Sequence, residues 1–160
     1  MAIRNIRALE LEPGRRLIGL DVGEKTIGVA VSDPGRELAM PQTTIRRSKF
    51  ARDAKALEAL YAETKAGAFI IGLPMNMDGS EGPRCQSVRQ FAANLLEAFE
   101  AKIAFWDERL STVAVTRRMI EADLSRRRRA EIVDRAAAAY ILQGALDFLG
   151  KETPPPAGMS

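Results

Sequence analysis

The sequence predicts an α/β fold, and three observations carry that prediction. Two apolar, β-rich runs, Leu17 to Val22 and Ile27 to Val31, are joined by the short polar link Gly23-Glu24-Lys25-Thr26, the pattern of a β-hairpin. Two further apolar runs, Ala68 to Leu73 and Ile103 to Trp106, each follow a stretch with helical spacing, as parallel strands reached through helices do. The chain has 160 residues, 46% hydrophobic and 28% charged, which suits one globular domain with a sizeable core.

Taken in order, residues 1–16 mix charged and isolated apolar positions up to Pro13-Gly14 and are expected to form a flexible arm. The hairpin opens the domain, which runs over residues 17–150. Pro34-Gly35 marks a turn, and Leu38 to Ile45 reads as a third strand whose Pro41 places it at a sheet edge. Ala54, Leu57, Leu60, Tyr61 and Thr64 recur at helical spacing between Lys49 and Lys65, before Gly67. After the central strand, Pro74 to Pro83 is dense in turn formers. Val88, Phe91, Ala92, Leu95, Leu96 and Phe99 then predict a helix over Arg84 to Glu100. Ser111 or Thr112 is placed to cap another helix from Val113, with Val115, Met119 and Ile120 on its buried face. Arg126, Arg127, Arg128 and Arg129 form the dense basic run of the chain, expected to be solvated and immediately ahead of a helix from Val133 to Leu149 stopped by Gly150. Residues 151–160, with three consecutive prolines, are expected to be disordered.

Three places concentrate chemistry. Asp21 lies inside an apolar strand, where a carboxylate is costly unless paired or metal-bound. Gly19 and Gly23 share its face and leave room for a backbone, phosphate or ion to approach. A carboxylate displayed at the mouth of a sheet and one satisfied by hairpin amides both fit. The second place is the loop at the carboxyl end of the central strand, where α/β sheets bind ligands; Asn76, Asp78, Gly79, Ser80 and Glu81 are its candidate contacts. The third is Asp107-Glu108-Arg109 at a strand end, with Ser111 and Thr112 following. A salt bridge from Arg109 to a neighbour is the plainer account of it. Asp134 at a helix start is open to a helix-dipole explanation.

The chain has no histidine, which removes the commonest general base and transition-metal ligand. Hydrolysis would then rest on carboxylates with a hard, oxygen-loving cation. Net charge is +3, a mild bias toward polyanions. The lone Cys85 permits no internal disulfide, and no apolar run approaches a membrane span or a signal peptide, so a cytoplasmic protein is expected.

The hairpin with Asp21, the strand ending Gly72-Leu73-Pro74, Trp106-Asp107-Glu108-Arg109-Leu110-Ser111-Thr112, and Val133-Asp134 leading Ala136-Ala137 and Ile141-Leu142-Gln143 together resemble the YqgF family of ribonuclease-H-like proteins. The resemblance covers Leu17 to about Leu149. It implies a ribonuclease-H-like fold: a mixed five-stranded sheet that starts as an antiparallel meander, with helices on both faces. It also implies a bacterial cytoplasmic nuclease proposed to mature the 5′ end of precursor 16S ribosomal RNA and earlier proposed to resolve Holliday junctions. Carried over by residue, the catalytic set is Asp21, Glu108 and Asp134, with Asp107 beside Glu108.

The chemistry agrees with that implication. Two Mg²⁺ or Mn²⁺ ions on Asp21, Glu108 and Asp134 would suit phosphodiester hydrolysis without histidine. Lys25, Arg109, Ser111, Thr112 and the Arg126 to Arg129 run would hold flanking phosphates. Expected partners are structured RNA, with precursor ribosomal particles, or alternatively a DNA junction; the chain would act as a monomer or a homodimer, not at a membrane. A catalytically silent nucleic-acid-binding module of ribosome assembly is the third function class. An actin-like ATPase also opens on an Asp-x-Gly hairpin, but needs two related domains.

Overall fold

The computed structural model describes residues 3–110 and 126–151. The order is β1 (Ile3–Arg4), a 3-10 turn (Ile6–Ala8), β2 (Arg16–Val22), β3 (Thr26–Ser32), β4 (Ala39–Arg46), α1 (Phe50–Glu63), β5 (Ala66–Leu73), α2 (Pro83–Ala98), β6 (Ile103–Asp107), a second 3-10 turn (Glu108–Leu110) and α3 (Arg126–Lys151). Among these residues the sheet runs β1-β6-β5-β2-β3-β4. The hairpin β2–β3 and its neighbour β4 are antiparallel, whereas β2–β5, β5–β6 and β1–β6 are parallel. The expected mixed five-stranded sheet is thus β2 to β6. Ile3–Arg4 adds a short strand at one edge, and β4 closes the other, its register shifting beside Pro41.

Strands β2, β3 and β5 are buried nearly throughout because helices cover both faces. On one face Leu20, Val29, Phe69 and Ile71 meet Leu57 of α1 and Val88, Phe91 and Leu95 of α2. On the other, Leu17, Ile70 and Trp106 pack with Ile141, Leu142 and Ala145 of α3. Helix α3 lies close to the sheet: a Cβ added at Gly19 would stand 2.7 Å from Leu142 Cβ and 2.9 Å from the Ala138 carbonyl oxygen. The room beside Gly19 therefore takes helix backbone.

Three boundaries differ from the sequence expectation. Helix α1 stops before Gly67 because Lys65 turns left-handed, at φ 56°, and β5 begins at once. Among the described residues helix α3 runs from Arg126 through Gly150 to Lys151, so the basic run, expected as a solvated segment ahead of a helix, lies within that helix, and Gly150, expected to stop it, is helical. Arginine is a strong helix former, so nothing ends the helix before the run. Asp134 then lies beyond the first turn, outside the range of helix-dipole stabilisation.

The segment expected as a flexible arm is anchored at several points. Ile6 is buried, Arg7 stacks 4.7 Å from the Phe148 ring centroid, and the Glu10 carbonyl accepts from Lys102 Nζ at 2.6 Å. The expected helix from Val113, its caps Ser111 and Thr112, and residues 152–160 of the tail lie outside the described residues. Among the described residues, no helix is long and apolar enough to cross a membrane.

Candidate functional site

Strands β2, β5 and β6 all end at one edge of the sheet, where the antiparallel β3 begins. Asp21 sits at that edge on the α3 face and is 8% exposed. Across the hairpin it is paired with Gly28. On its other side, one step beyond the Leu20–Ile71 pair, stands Gly72. Adjacent strands are about 4.8 Å apart, so the two glycines are Asp21's immediate lateral neighbours.

Both glycines are overlain by acidic residues. A Cβ at Gly72 would be 3.1 Å from Glu108 Cγ and 2.5 Å from Ile141 Cδ1. A Cβ at Gly28 would fall on the backbone carbonyl of Asp134. Glu108, Asp21 and Asp134 are therefore gathered in one row across three neighbouring strands, and side chains at positions 28 and 72 would close it. The carboxylate of Asp134 accepts a hydrogen bond from Thr26 Oγ1, which ties α3 to the start of β3. Among the described residues, no three acidic or thiol side chains are gathered tightly enough to hold a metal ion between them. The row is a set of neighbours, not a closed ligand cage.

Asp107, placed beside Glu108 in the candidate set, lies apart from the row. It pairs with Leu73 in the sheet and so alternates to the opposite face. There its carboxylate accepts from Arg109 Nε at 3.0 Å, from Arg109 Nη2 at 2.6 Å and from the Arg109 amide at 3.0 Å. Arg109 also donates to the Met77 carbonyl at 3.3 Å, tethering the loop after β5.

That loop spends much of its polarity on its own shape. Gly79, at φ 89°, closes a turn with its amide on the Asn76 carbonyl at 2.9 Å. Asn76 Nδ2 donates to Ser80 Oγ at 3.0 Å, and Asp78 Oδ1 accepts from the Ser80 hydroxyl at 2.6 Å and its amide at 2.9 Å. Glu81 is held by Arg89 of α2 at 2.6 and 2.8 Å. Lys25 is exposed in the β2–β3 turn, and Cys85 is buried, which pushes its thiol up.

The Arg109 side chain holds the Asp107 carboxyl below its ordinary range, against the opposing effect of burial. A depressed folded-state value means that the pair's contribution is present above the ordinary aspartate pKa of about 3.9 and is lost as pH falls through the lower folded value. Both side chains keep solvent contact, 31% for Arg109 and 21% for Asp107, so that contribution is under about 1 kcal/mol. In thermal melts, Asp107→Asn should therefore lose little at neutral pH, and its difference from wild type should shrink as pH falls below about 4 and vanish once pH is below the lowered folded-state value. A large loss that persists in acid would mean that Asp107 supports the edge by something other than this charge pair.

The family model described as RuvX, Holliday junction resolvase, matches residues 15–148. A protein of Rhodospirillum centenum (strain ATCC 51521 / SW), named "Putative pre-16S rRNA nuclease", is 56% identical over 165 aligned positions, covering 99% of this chain and 88% of that one. A protein of Paramagnetospirillum magneticum (strain ATCC 700264 / AMB-1) with the same name is 60% identical over 137 positions, covering 86% and 88%. Among solved structures, the yeast mitochondrial Holliday junction resolvase Ydc2 superposes with a TM-score of 0.54 at 11% identity, covering 91% of this chain and 83% of that one. T. thermophilus RuvC in complex with Holliday junction substrate gives 0.52 at 11%, covering 82% and 93%. At such identity these two establish the fold alone.

Proposed function

The chain belongs to the RuvX (YqgF) family, and from that premise we propose that it is a nuclease hydrolysing phosphodiester bonds in the precursor of 16S ribosomal RNA. The observation that carries the proposal is the acid row: Asp21, buried between two glycines, with Glu108 over one and Asp134 over the other. Carboxylates in this setting are suited to a divalent cation. The donors are hard oxygens, and the glycines, lacking side chains, let Glu108 and the Asp134 backbone come down beside Asp21, so that three carboxylates share one sheet edge.

Asp21, Glu108 and Asp134 are the residues that would hold Mg²⁺ or Mn²⁺. When bound, such ions supply charge neutralisation on the scissile phosphate and stabilise the leaving oxygen. The chain's own part is positional. The sheet fixes Asp21, the turn after β6 brings Glu108 over Gly72, and Thr26 orients the Asp134 carboxylate. Closing a ligand set around a cation requires Glu108 and Asp134 to turn toward Asp21. Lys25, exposed in the β2–β3 turn, is the cation placed to meet a flanking phosphate, whereas Arg109, expected in that role, is engaged by Asp107 and the Met77 carbonyl on the opposite face. Helix α3 crosses the sheet edge near residue 134, so its first two turns project about 7 to 12 Å beyond the row.

Cleavage of precursor 16S rRNA and of a four-way DNA junction, assayed side by side with Mn²⁺, tests the proposal. The RNA should be cut and Glu108→Gln should abolish cutting, whereas Asp107→Asn should retain most of it. Preferential cutting of the junction would move the assignment to a resolvase, which would require a symmetric dimer to cut both strands. No cutting of either would leave a binding module.

A further inference from the structure

On the α1/α2 face, at the same sheet edge as the acid row, two clefts adjoin. One, of about 430 Å³, is lined by Gly23, Glu24, Arg47, Ser48, Arg84 and Ser87 among others. The other, of about 460 Å³, shares Arg47 and Ser48 and adds Arg46 and Arg52. Four arginines thus line one continuous corner between β4, α1 and α2.

The corner is rigidly built. Arg47 donates to the Gly23 carbonyl at 2.6 Å and lies 5.3 Å from the Phe91 ring centroid. Asp53, 2% exposed, accepts from the Ser48 amide and hydroxyl at 3.2 Å, so this lining carboxylate is spent on the chain's own bend into α1. Arg52 and Arg84 are exposed, and among the described residues neither has a carboxylate within ion-pair reach. Glu24 is the other acidic residue of the lining.

We propose that this double cleft binds the phosphodiester backbone of a single RNA strand leading to the acid row. The inference rests on the nuclease function proposed above and adds where the uncut part of the substrate lies. Clefts of this size take individual nucleotides, not a duplex. Arginine forks suit phosphate oxygens, and Phe91 is covered by Arg47, so backbone contact replaces base stacking. Gly23 is two residues from Asp21, so a strand leaving the cleft reaches the row by crossing only the β2–β3 turn. Ser87 offers a hydroxyl that can both donate to and accept from a 2′-hydroxyl.

The test is fluorescence anisotropy in EDTA on three probes: an RNA hairpin with a single-stranded 5′ tail of about ten nucleotides, the blunt hairpin, and the hairpin with a DNA tail. Wild type should bind the RNA-tailed hairpin more tightly than the other two. The double variant Arg52→Gln/Arg84→Gln should lose about tenfold on the tailed RNA, with its salt slope reduced by about 1.4 for two lost single-strand contacts, and keep its affinity for the blunt hairpin and its melting temperature. Unchanged binding of the tailed RNA, a loss shared equally by the blunt hairpin, or equal binding of the DNA tail would each overturn the proposal. Cleavage is not read here. A chain that grips the tail through these arginines but cuts nothing loses the nuclease assignment alone, and a chain that cuts while the variant binds like wild type loses the cleft alone.

Discussion

Asp21→Asn should abolish metal-dependent cleavage, a loss on the order of 10³-fold or more, while leaving the metal-free protein as stable as wild type or more so. Asparagine keeps the size of the side chain in a position that is 8% exposed and flanked by glycines, so packing is preserved. What is removed is one negative charge from a row that also holds Glu108 and Asp134. Added Mn²⁺ should raise the wild-type melting temperature, because a ligand at a hundred times its Kd stabilises the folded state by about 2.7 kcal/mol, and it should leave the variant unmoved. A carboxylate serving only the hairpin would behave in the opposite way. Its replacement would cost about 1 to 3 kcal/mol, with no metal effect in either protein. Melts of both proteins with and without Mn²⁺ decide between these, and the second pattern would remove the nuclease assignment.

Gly28→Ala should destabilise the protein by about 3 kcal/mol or more, at the upper end of what overpacking a core costs. The added methyl group would land on the carbonyl of Asp134, an obstacle of backbone that no rotamer change can move aside. Helix α3 would have to lift, and its other close contacts lift with it. These include the Gly19 approach to Leu142 and the Gly144 site, where a Cβ would already stand 3.0 Å from Trp106 Nε1. The same movement carries Asp134 away from Asp21, so the Mn²⁺-dependent rise in melting temperature should be lost as well. Gly150→Ala is the control: no atom lies within 4 Å of the added group, and alanine favours helix over glycine, so stability should hold or rise. A Gly28→Ala protein that melts like wild type would show that α3 does not bear on the sheet at that point.

The candidate site was only partly legible in the sequence. Asp21 stood out because a charge inside an apolar run has a local signature, and Pro41 marked its strand as an edge for an equally local reason. Asp107 and Glu108 could not be separated from their spacing. The alternation of β6, which turns Asp107 to Arg109 while Glu108 reaches over Gly72, separates them. The basic corner escaped notice because Arg46, Arg47 and Arg52 straddle a strand end and a helix start, and Arg84 joins them from α2. The continuous run at residues 126–129 was visible, but its helical state was not, since a charge run reads as solvated whether or not it is helical.

By itself the sequence determined the α/β class, the order of β2 to β6 with the helices α1, α2 and α3, and the hairpin that presents Asp21, because period-two and period-3.6 apolar patterns and turn residues act between near neighbours. Tertiary structure alone decided that Gly28 and Gly72 make the space beside Asp21, that Asp134 arrives through its backbone as well as its carboxylate, and that four arginines meet at one corner. Those facts depend on strand register and on how closely α3 approaches the sheet. Both are set by packing between segments far apart in the chain, where no local periodicity records the distance.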